Sequence, residues 1–310
     1  IGSGLVGSEM CIRDRVYHNA LKHYAKPVAN AIGMLADKII ENKGKKIVLV
    51  SLARAGIPIG ILVKRYIKFK YGINVPHYSI SIIRGRGIDD NAMKYLLEKY
   101  RPQQILFVDG WIGKGAILNE LKKDISAYEG VSADIAVVAD PANVTELCGT
   151  HEDILIPSSC LNSTVSGLIS RTFLRDDIIG RDDFHGAVYY GELTDSDLSY
   201  DFIETIEKEF NMENTPDLEK RVESQGIDEV INIGKNFGID DINLIKPGIG
   251  ETTRVLLRRI PWKVLIDERY KGNPQLEHIV RLAEEKHTPV EYYPLTHYKC
   301  CGIIKKLADA

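Results

Sequence analysis

The stretch that decides the fold is ILFVDGWIGKGAILNEL, which runs from Ile105 to Leu121. Its first four residues are apolar and are typical of a buried parallel strand. The carboxylate of Asp109 follows at once, then a glycine-rich turn around Lys114, then apolar residues at helical spacing. The turn glycines are Gly110, Gly113 and Gly115. Glycines let the backbone approach an anion with its amides exposed, so the stretch predicts a phosphate-binding strand–turn–helix unit at the carboxyl edge of a parallel sheet.

The spacing of these glycines excludes two common phosphate loops. A Walker loop requires G-x-x-x-x-G-K-[ST] and a dinucleotide-binding turn requires G-x-G-x-x-G, and neither pattern occurs here. The segment instead resembles the phosphoribosyl-diphosphate loop of type I phosphoribosyltransferases, a hydrophobic strand followed by two acidic residues and a Thr/Gly-rich turn. Asp109 stands at the first acidic position and Gly115 at the loop glycine, while Gly110 replaces the second acid. Lys114 and Ile117 stand where threonines are usual, and a lysine can still bind a phosphate as a point charge.

Length and composition are those of an ordinary globular protein. The chain has 310 residues, enough for two domains, of which 44% are hydrophobic and 27% charged. A formal net charge of −3 gives no global nucleic-acid signal, and no apolar run approaches the length of a membrane span. The five cysteines are scattered without a C-x-x-C pair, which predicts a reduced cytoplasmic protein rather than a disulfide framework.

Residues 1–15, IGSGLVGSEMCIRDR, show no hydrophobic periodicity. They have neither the basic start nor the apolar core of a signal peptide. The part GSEMCIRDR resembles a translated sequencing-adapter fragment. We therefore predict that residues 1–15 are a non-native segment.

Strands alternate with helices in the first part of the chain. Apolar runs predict strands at Ile47–Val50, Ile105–Val108 and Ile135–Val138, and alternation predicts one at His77–Ile83. Apolar residues at helical spacing predict a first helix over Tyr24–Glu41. Such alternation predicts an α/β fold with a parallel sheet and right-handed crossovers. Open sheets of this kind bind ligands at the carboxyl ends of their strands.

Two further turns follow predicted strands and carry arginines beside glycines. Arg54 and Gly56 lie in SLARAG, and Arg84 and Arg86 lie in RGRGID. Guanidinium groups suit the recognition of diphosphate. Together with the Asp109 loop, these turns predict one anion site at neighbouring strand ends.

The region from 140 to 200 is dense in Ser, Thr and Asn and supports an alternative chemistry. Long polar loops often line a site or a lid. Cys160 could act as a nucleophile with His185 as its base and Asp183 orienting the base. His151 is an equally available base and Cys148 an alternative thiol, and sequence alone does not choose between them.

Five separated motifs together resemble one bacterial family. They are SLARAGIPIG, YSISIIRGRGID, FVDGWIGKGAI, IPSSCLNSTVSGLISRT and DFHGAVYY. The family is the phosphoribosyltransferase-like family associated with tellurium-resistance and stress-response gene clusters, whose members are also labelled cysteine protease StiP. The resemblance covers Tyr17 to Phe210 and implies a type I phosphoribosyltransferase-like sheet.

The C-terminal part reads as a separate module after NMENTPD, a typical linker sequence. From Leu218 to Leu307 it resembles the RNA-binding α/β/α sandwich of ribosomal protein L7Ae and the Pelota C-terminal domain. Its GIGETTR is similar to the G-x-N-E-x-x-K helix start of that family, with a glycine replacing the asparagine. This resemblance implies RNA contacts by Gly248, Gly250, Glu251, Thr253, Arg254 and Arg258. From Lys246 to Ala310, twelve Lys and Arg against eight Asp and Glu give a net +4, which favours phosphate contact.

These observations predict an α/β protein whose domains are a type I phosphoribosyltransferase-like domain over 16–210 and a Pelota/L7Ae-like RNA-binding domain over 218–310. The resemblance implies an enzyme of a stress-response or tellurium-resistance pathway that displaces diphosphate from phosphoribosyl diphosphate with Mg²⁺, without a membrane partner. Asp109 would bind ribose hydroxyls or hydrated Mg²⁺. The amides from Gly113 to Ala116, together with Lys114, would bind the 5′-phosphate, and the arginines would bind the diphosphate. The alternatives are a cysteine hydrolase and a non-catalytic, nucleotide-sensing RNA-binding protein.

Overall fold

Two sheets, one in each half of the chain, organise the protein. The structure, a computed structural model, describes residues 3–216 and 223–306, with side chains from residue 12 onward. The strands of the first sheet are β1 (Val48–Ala53), β2 (His77–Ile83), β3 (Gly87–Ile88), β4 (Ile105–Trp111), β5 (Ile135–Ala139) and β6 (Cys148–Thr150). Their order is β3-β2-β1-β4-β5-β6, and all pairs are parallel except β2 with β3. The predicted parallel sheet is confirmed.

Helices cover both faces of this sheet. They are α1 (Ser3–Lys43), α2 (Gly56–Tyr71), α3 (Asp90–Lys99), α4 (Ala116–Ile125) and α5 (Ser199–Glu207). Because side chains alternate along a strand, Val108 packs with α1 and α2 on one face while Phe107 packs with α3 and α4 on the other. The first helix begins at Ser3 rather than at Tyr24. The assignment of residues 1–15 as a non-native segment stays a prediction.

The second sheet forms an α/β/α sandwich, as the sequence predicted. Its elements are α6 (Gly226–Phe237), β7 (Ile245–Pro247), α7 (Ile249–Arg258), β8 (Pro261–Ile266), α8 (Glu277–Glu285), β9 (Val290–Tyr292) and β10 (Cys300–Ile304). The strand order is β7-β10-β8-β9, with β10 antiparallel to both neighbours. Cys300 packs on the side of α7 and α8, and Cys301 on the side of α6. Adjacent strand residues thus point to opposite faces, as expected.

The two domains share one apolar core. The cluster that contains α1, α2 and one face of the first sheet also contains Ile249, Leu256 and Leu257 of α7. The carboxylate of Asp153, in the loop after β6, accepts the amides of Ile249 and Lys299, each at 2.9 Å. Buried apolar side chains and internal hydrogen bonds therefore join the two domains.

The predicted linker is held against the first domain where it is described. The side-chain amide of Asn214 donates to Asp37 at 3.0 Å and to the Tyr66 hydroxyl at 2.7 Å. The predicted start of the second domain at 218 lies outside the described residues. Within the described ranges, no helix has the length and apolarity needed to cross a membrane.

Candidate functional site

Asp109, near the carboxyl end of β4, is the centre of the predicted anion site. Its Oδ1 accepts the amide of Gly110 at 2.8 Å. Burial raises the pKa of the carboxyl to about 7, the charge of Glu251 adds to this shift, and Arg254 opposes it. Both of these side chains belong to α7. The carboxylate therefore faces the second domain across a narrow crevice.

Lys114 ties the turn after β4 to the second domain. Its ammonium donates to the carbonyl of Ile242 and, at 2.9 Å, to that of Ile245. Burial and nearby Lys246 lower its pKa to about 8. These two carbonyls accept the hydrogen bonds of Lys114 that the sequence analysis assigned to a bound phosphate. The structure corrects that expectation, because the lysine is used as a link between domains.

The backbone of the same turn keeps its amides available. Gly115 adopts a φ of 84° and precedes α4, with no side chain capping the helix. Within the described residues the amides of Lys114 and Gly115 donate to no acceptor. The carbonyl of Gly113 accepts the Tyr298 hydroxyl at 2.7 Å, and Ala116 begins the helix. An anion could therefore still bind to these amides.

The turn after β1 lies beside the Asp109 loop, as predicted. A Cβ on Gly56 would come within 2.4 Å of the Val108 carbonyl oxygen, so only glycine permits this approach. Arg54 donates to the carbonyl of Ile169 at 2.8 Å. Burial and the nearby charges of Arg171 and Arg254 lower its pKa. Arginines from both domains therefore converge at this edge.

The two arginines of the turn between β2 and β3 do not lie with Asp109 and Arg54. Arg84 donates to the side chain of Asn243 at 2.9 Å. Arg86 is exposed and bonds to no described side chain through its guanidinium. Neither arginine contacts Asp109, so the structure does not assemble the predicted diphosphate ligands as one set.

The predicted RNA-reading residues lie against the first domain. A Cβ on Gly250 would lie 3.8 Å from the ring of Trp111, and the Arg254 guanidinium lies 5.9 Å from the centre of that ring. Glu251 pairs with Arg254 at 3.0 Å. The start of α7 thus packs against Trp111 at the end of β4.

The remaining members of this set are held by internal bonds. The amide of Gly248 donates to Cys300, and buried Thr253 donates to the carbonyl of Ile249. The guanidinium of Arg258 donates to the carbonyls of Cys160 and Leu161 at 2.9 and 2.8 Å. The expected open RNA face at the start of α7 is therefore corrected to a domain interface.

The predicted Cys160–His185–Asp183 set is not assembled. Cys160 is fully buried beside Arg258, and burial raises its pKa to about 12. His185 is bonded through Nδ1 to the hydroxyl of Ser81 at 2.8 Å, next to the opposite edge of the sheet. Asp183 accepts the amide of Gly180. Within the described residues no hydrogen bond joins any two of the three, so this set is corrected.

A different cysteine and histidine come together at the ends of β5 and β6. Cys148 Sγ lies 3.3 Å from His151 Nε2. His151 Nδ1 lies 3.0 Å from the main-chain oxygen of Asp140 and 3.9 Å from its Oδ2. Cys148 Sγ also lies 3.8 Å from His151 Nδ1, so the thiol lies beside the imidazole ring, within reach of Nε2, while Nδ1 can donate to the Asp140 carbonyl. The arrangement places a thiol, a base and an acidic residue next to one another.

The fold explains how this set forms. Asp140 follows β5 and His151 follows β6, so parallel pairing brings both strand ends to one edge. A Cβ on Gly149 would lie 2.1 Å from the carbonyl oxygen of Ala31, which shows how closely α1 packs on β6. Lys38 of α1 donates to the carbonyl of Cys148 at 2.8 Å. These contacts fix the backbone that carries the thiol.

Asp140 carries its charge in a buried site. Its Oδ2 accepts the amides of Val144 and Thr145 at 2.7 and 2.8 Å. Its Oδ1 is buried and accepts no hydrogen bond from the described chain. Burial raises its pKa, although these amides and His151 oppose the shift. The carboxylate would stabilise a protonated His151, because its Oδ2 lies 3.9 Å from Nδ1.

Sequence reasoning named Cys148 and His151 as alternatives but did not connect them with Asp140. The usable signal was an acidic residue at the end of one strand and a C-x-x-H spacing in the next segment. It was missed because β6 has only three residues and lies in a region read as one long loop.

No part of the described chain groups three or more His, Cys, Asp or Glu side chains as a metal site. The side chain of Glu251 also lies beside the turn after β4, 3.7 Å from a Cβ placed on Gly113, and the binding of a hydrated cation by Asp109 stays a prediction.

Comparisons with known proteins agree with the two-domain architecture. Residues 10–207 match the family model described as tellurite-like stress resistance cysteine protease StiP, and residues 224–306 match the PELOTA RNA binding domain model. A relative from Acinetobacter baylyi, named cysteine protease StiP, is 31% identical over 94% of this chain and 81% of its own length.

Solved structures with partial similarity include two bacterial proteins. A hypoxanthine-guanine phosphoribosyltransferase from Bacillus anthracis has a TM-score of 0.30 and 17% identity, over 39% of this chain and 71% of its own. A hypothetical protein from Neisseria gonorrhoeae with bound ppGpp has a TM-score of 0.25 and 15% identity, over 36% of this chain and 65% of its own. The family model over the N-terminal domain and the full-length relative show that the chain belongs to the StiP family.

Proposed function

We propose that the protein is a cysteine hydrolase, acting on peptide bonds, whose nucleophile is Cys148. The observation that carries the proposal is the 3.3 Å contact between Cys148 Sγ and His151 Nε2, with His151 Nδ1 held by Asp140. Cys160, Cys300 and Cys301 make no hydrogen bond to a histidine within the described residues. The name of the relative supports the same chemistry.

The residues supply each step of acyl transfer. His151 Nε2 takes the proton of Cys148, and the thiolate attacks the carbonyl carbon of the peptide bond. The protonated imidazole, stabilised by Asp140, then gives its proton to the leaving amine as the C–N bond breaks. Water, deprotonated by His151, hydrolyses the thioester and releases the acid with the thiol restored.

Thiol labelling tests the assignment of the nucleophile. We expect iodoacetamide to modify Cys148 before Cys160, because a neighbouring base raises thiolate reactivity. A Cys11→Ser background removes the first cysteine of the chain, and mass spectrometry of peptides reports each remaining site. His151→Asn should slow the modification of Cys148 and leave that of Cys160 unchanged. Equal rates in the two proteins would remove His151 from the role of base.

We propose as a second candidate that the turn after β4 binds phosphoribosyl diphosphate or a related sugar phosphate with Mg²⁺, as a phosphoribosyltransferase or as a sensor. The support is the pairing of a carboxylate at Asp109 with the unbonded amides of Lys114 and Gly115. Calorimetry with phosphoribosyl diphosphate and Mg²⁺ tests it. Binding should disappear in Asp109→Ala and persist in Asp134→Ala, a control at an exposed ion pair. Unchanged affinity of the first variant would remove Asp109 from the site.

We propose a third activity, RNA binding by the second domain. The match of residues 224–306 to an RNA-binding domain model supports it. The net +4 of Lys246–Ala310 adds to this support. Retention of structured RNA by the whole chain on a filter at moderate salt would test it.

A cytoplasmic location is also a proposal. No disulfide joins the four described cysteines, which are all buried, and this agrees with a reducing compartment.

A further inference from the structure

We infer that the second domain binds single-stranded RNA at the edge formed by the start of β8 and the end of β10, and not at the start of α7. This edge patch consists of Arg259, Ile260, Trp262, Lys305 and Lys306. The inference rests on the proposed RNA-binding function and assigns it a surface.

The start of α7 is closed to a large ligand. Ile249, Leu256 and Leu257 of α7 belong to the apolar core shared with the first domain. Arg254 lies over the ring of Trp111, and the guanidinium of Arg258 donates hydrogen bonds to carbonyls of the turn at Cys160. RNA at this helix would have to separate a buried apolar interface, at a cost that surface phosphate contacts do not offset.

The edge patch is assembled by strand pairing. The amide of Lys305 donates to the carbonyl of Ile260 at 3.0 Å. In the β8–β10 ladder, Ile304 pairs with Pro261. The segment Arg259–Trp262 is therefore adjacent to Lys305 and Lys306, although more than forty residues separate them in sequence.

The patch combines unpaired cations with an exposed aromatic ring. Arg259, Lys305 and Lys306 are exposed and form no ion pair with the described residues. Trp262 is 40% exposed and Ile260 57% exposed. The patch therefore presents exposed apolar surface beside three cations that pair with no described carboxylate.

The surroundings of Trp262 favour a nucleobase. Phe237 meets the Trp262 ring edge-on at 6.4 Å between centroids, and Lys263 Nζ lies 5.4 Å from its centre. These neighbours hold the indole while leaving part of it in solvent. A base can stack on that surface while Arg259, Lys305 and Lys306 contact phosphates, which is how sequence-tolerant single-strand sites work.

The test measures binding of a fluorescein-labelled oligouridylate of about 20 nucleotides to the whole chain by anisotropy, over a range of salt. Trp262→Ala should weaken binding about tenfold, because one stacked base contributes on the order of 1–3 kcal/mol. Lys305→Glu/Lys306→Glu should weaken it further and reduce the salt slope by about one. The matched controls, Tyr200→Ala and Lys122→Glu/Lys123→Glu, change a more exposed ring and two exposed lysines of the first domain.

The possible failures are distinguishable. If the wild-type chain binds no oligonucleotide at low salt, the RNA-binding function itself is wrong. If it binds and the Trp262 and Lys305/Lys306 variants match the wild type, RNA binding stands and the edge patch is the wrong surface. Loss in the lysine variant with an unchanged Trp262→Ala would refute base stacking.

Discussion

The turn after β4 and the paired ends of β5 and β6 lie at the same edge of one sheet, yet the structure uses them differently. The turn after β4 has the stronger sequence signal, but its lysine bonds to carbonyls of the second domain and its carboxylate faces α7. The ends of β5 and β6 have a weak signal, but they bring a thiol within 3.3 Å of an imidazole. A sequence motif shows which side chains are present, while tertiary packing determines which other residues those side chains contact.

The difference also separates two kinds of charged residue. Lys114 is satisfied by protein carbonyls, so its charge stabilises the interface between domains. Asp140 keeps one oxygen without a hydrogen bond from the described residues, next to a histidine that can take up a proton. A buried polar group that lacks a hydrogen-bond partner lowers the stability of the fold. Such a group is therefore a candidate for a catalytic role.

The largest effect that would test the comparison is the loss of the thiol. We expect Cys148→Ala to reduce peptide hydrolysis at least about a thousandfold, because the nucleophile forms the covalent bond to substrate. Cleavage of unfolded casein followed by released amines measures it. Cys160→Ala is the control and should keep the rate within about threefold. If Cys148→Ala and the wild type hydrolyse peptides at equal rates, Cys148 is not the nucleophile.

Removing Asp153 tests whether the two regions belong to one cooperative unit. Asp153→Ala leaves the buried amides of Ile249 and Lys299 without an acceptor, and we expect the free energy of unfolding to fall by about 3 kcal/mol. Urea denaturation followed by fluorescence measures it, with exposed Asp240→Ala as the control. A wild type that unfolds in two separate steps would contradict the shared core.

Replacing Lys114 tests its use as a link between domains. Lys114→Met should lower the free energy of unfolding by about 1–2 kcal/mol, since two carbonyls lose a charged donor. Lys123→Met, at an exposed position of the helix that follows the turn, should change it by less than about 0.5 kcal/mol. The same denaturation curves give both values, and equal effects would show that Lys114 is an ordinary surface lysine.

A further expected effect concerns the pH dependence of stability that Asp109 causes. Its folded-state pKa of about 7 lies above the unfolded value of 3.8, so the folded protein binds the proton more tightly. Its contribution to stability is therefore present at low pH and is lost as pH rises through about 7. We expect Asp109→Asn to gain stability relative to wild type between about pH 5 and about pH 8. A constant difference across this range would show that the carboxyl titrates normally.

Much of the fold could be predicted from local patterns. The apolar runs at Ile47–Val50, Ile105–Val108 and Ile135–Val138 became β1, β4 and β5, because a strand buried on both faces is largely apolar. The alternating segment His77–Ile83 became β2, which is only partly buried. The short strands β3 and β6 were not predicted, since two or three residues carry no usable periodicity. The C-terminal sandwich followed from the same alternation of helices and strands.

The candidate site was predicted less completely. Asp109 and Gly56 lie together as expected, because adjacent parallel strands bring their ends to one edge. The role of Lys114 and the separation of Cys160 from His185 could not be foreseen, because both depend on which distant segment packs against each residue. Spacing along the chain has no information on such contacts.

The sequence by itself determined the strands, the glycine turn after β4, the two-domain order and the membership of a family, since these depend on local preference and on short motifs. Only the tertiary structure decided that α7 packs against the end of β4, that Lys114 serves the interface, and that Cys148 meets His151 beside Asp140. The physical reason is that burial, hydrogen-bond partners and charge neighbours belong to pairs of residues far apart in the chain. They exist only after the sheet has aligned its strand ends and the second domain has packed against them.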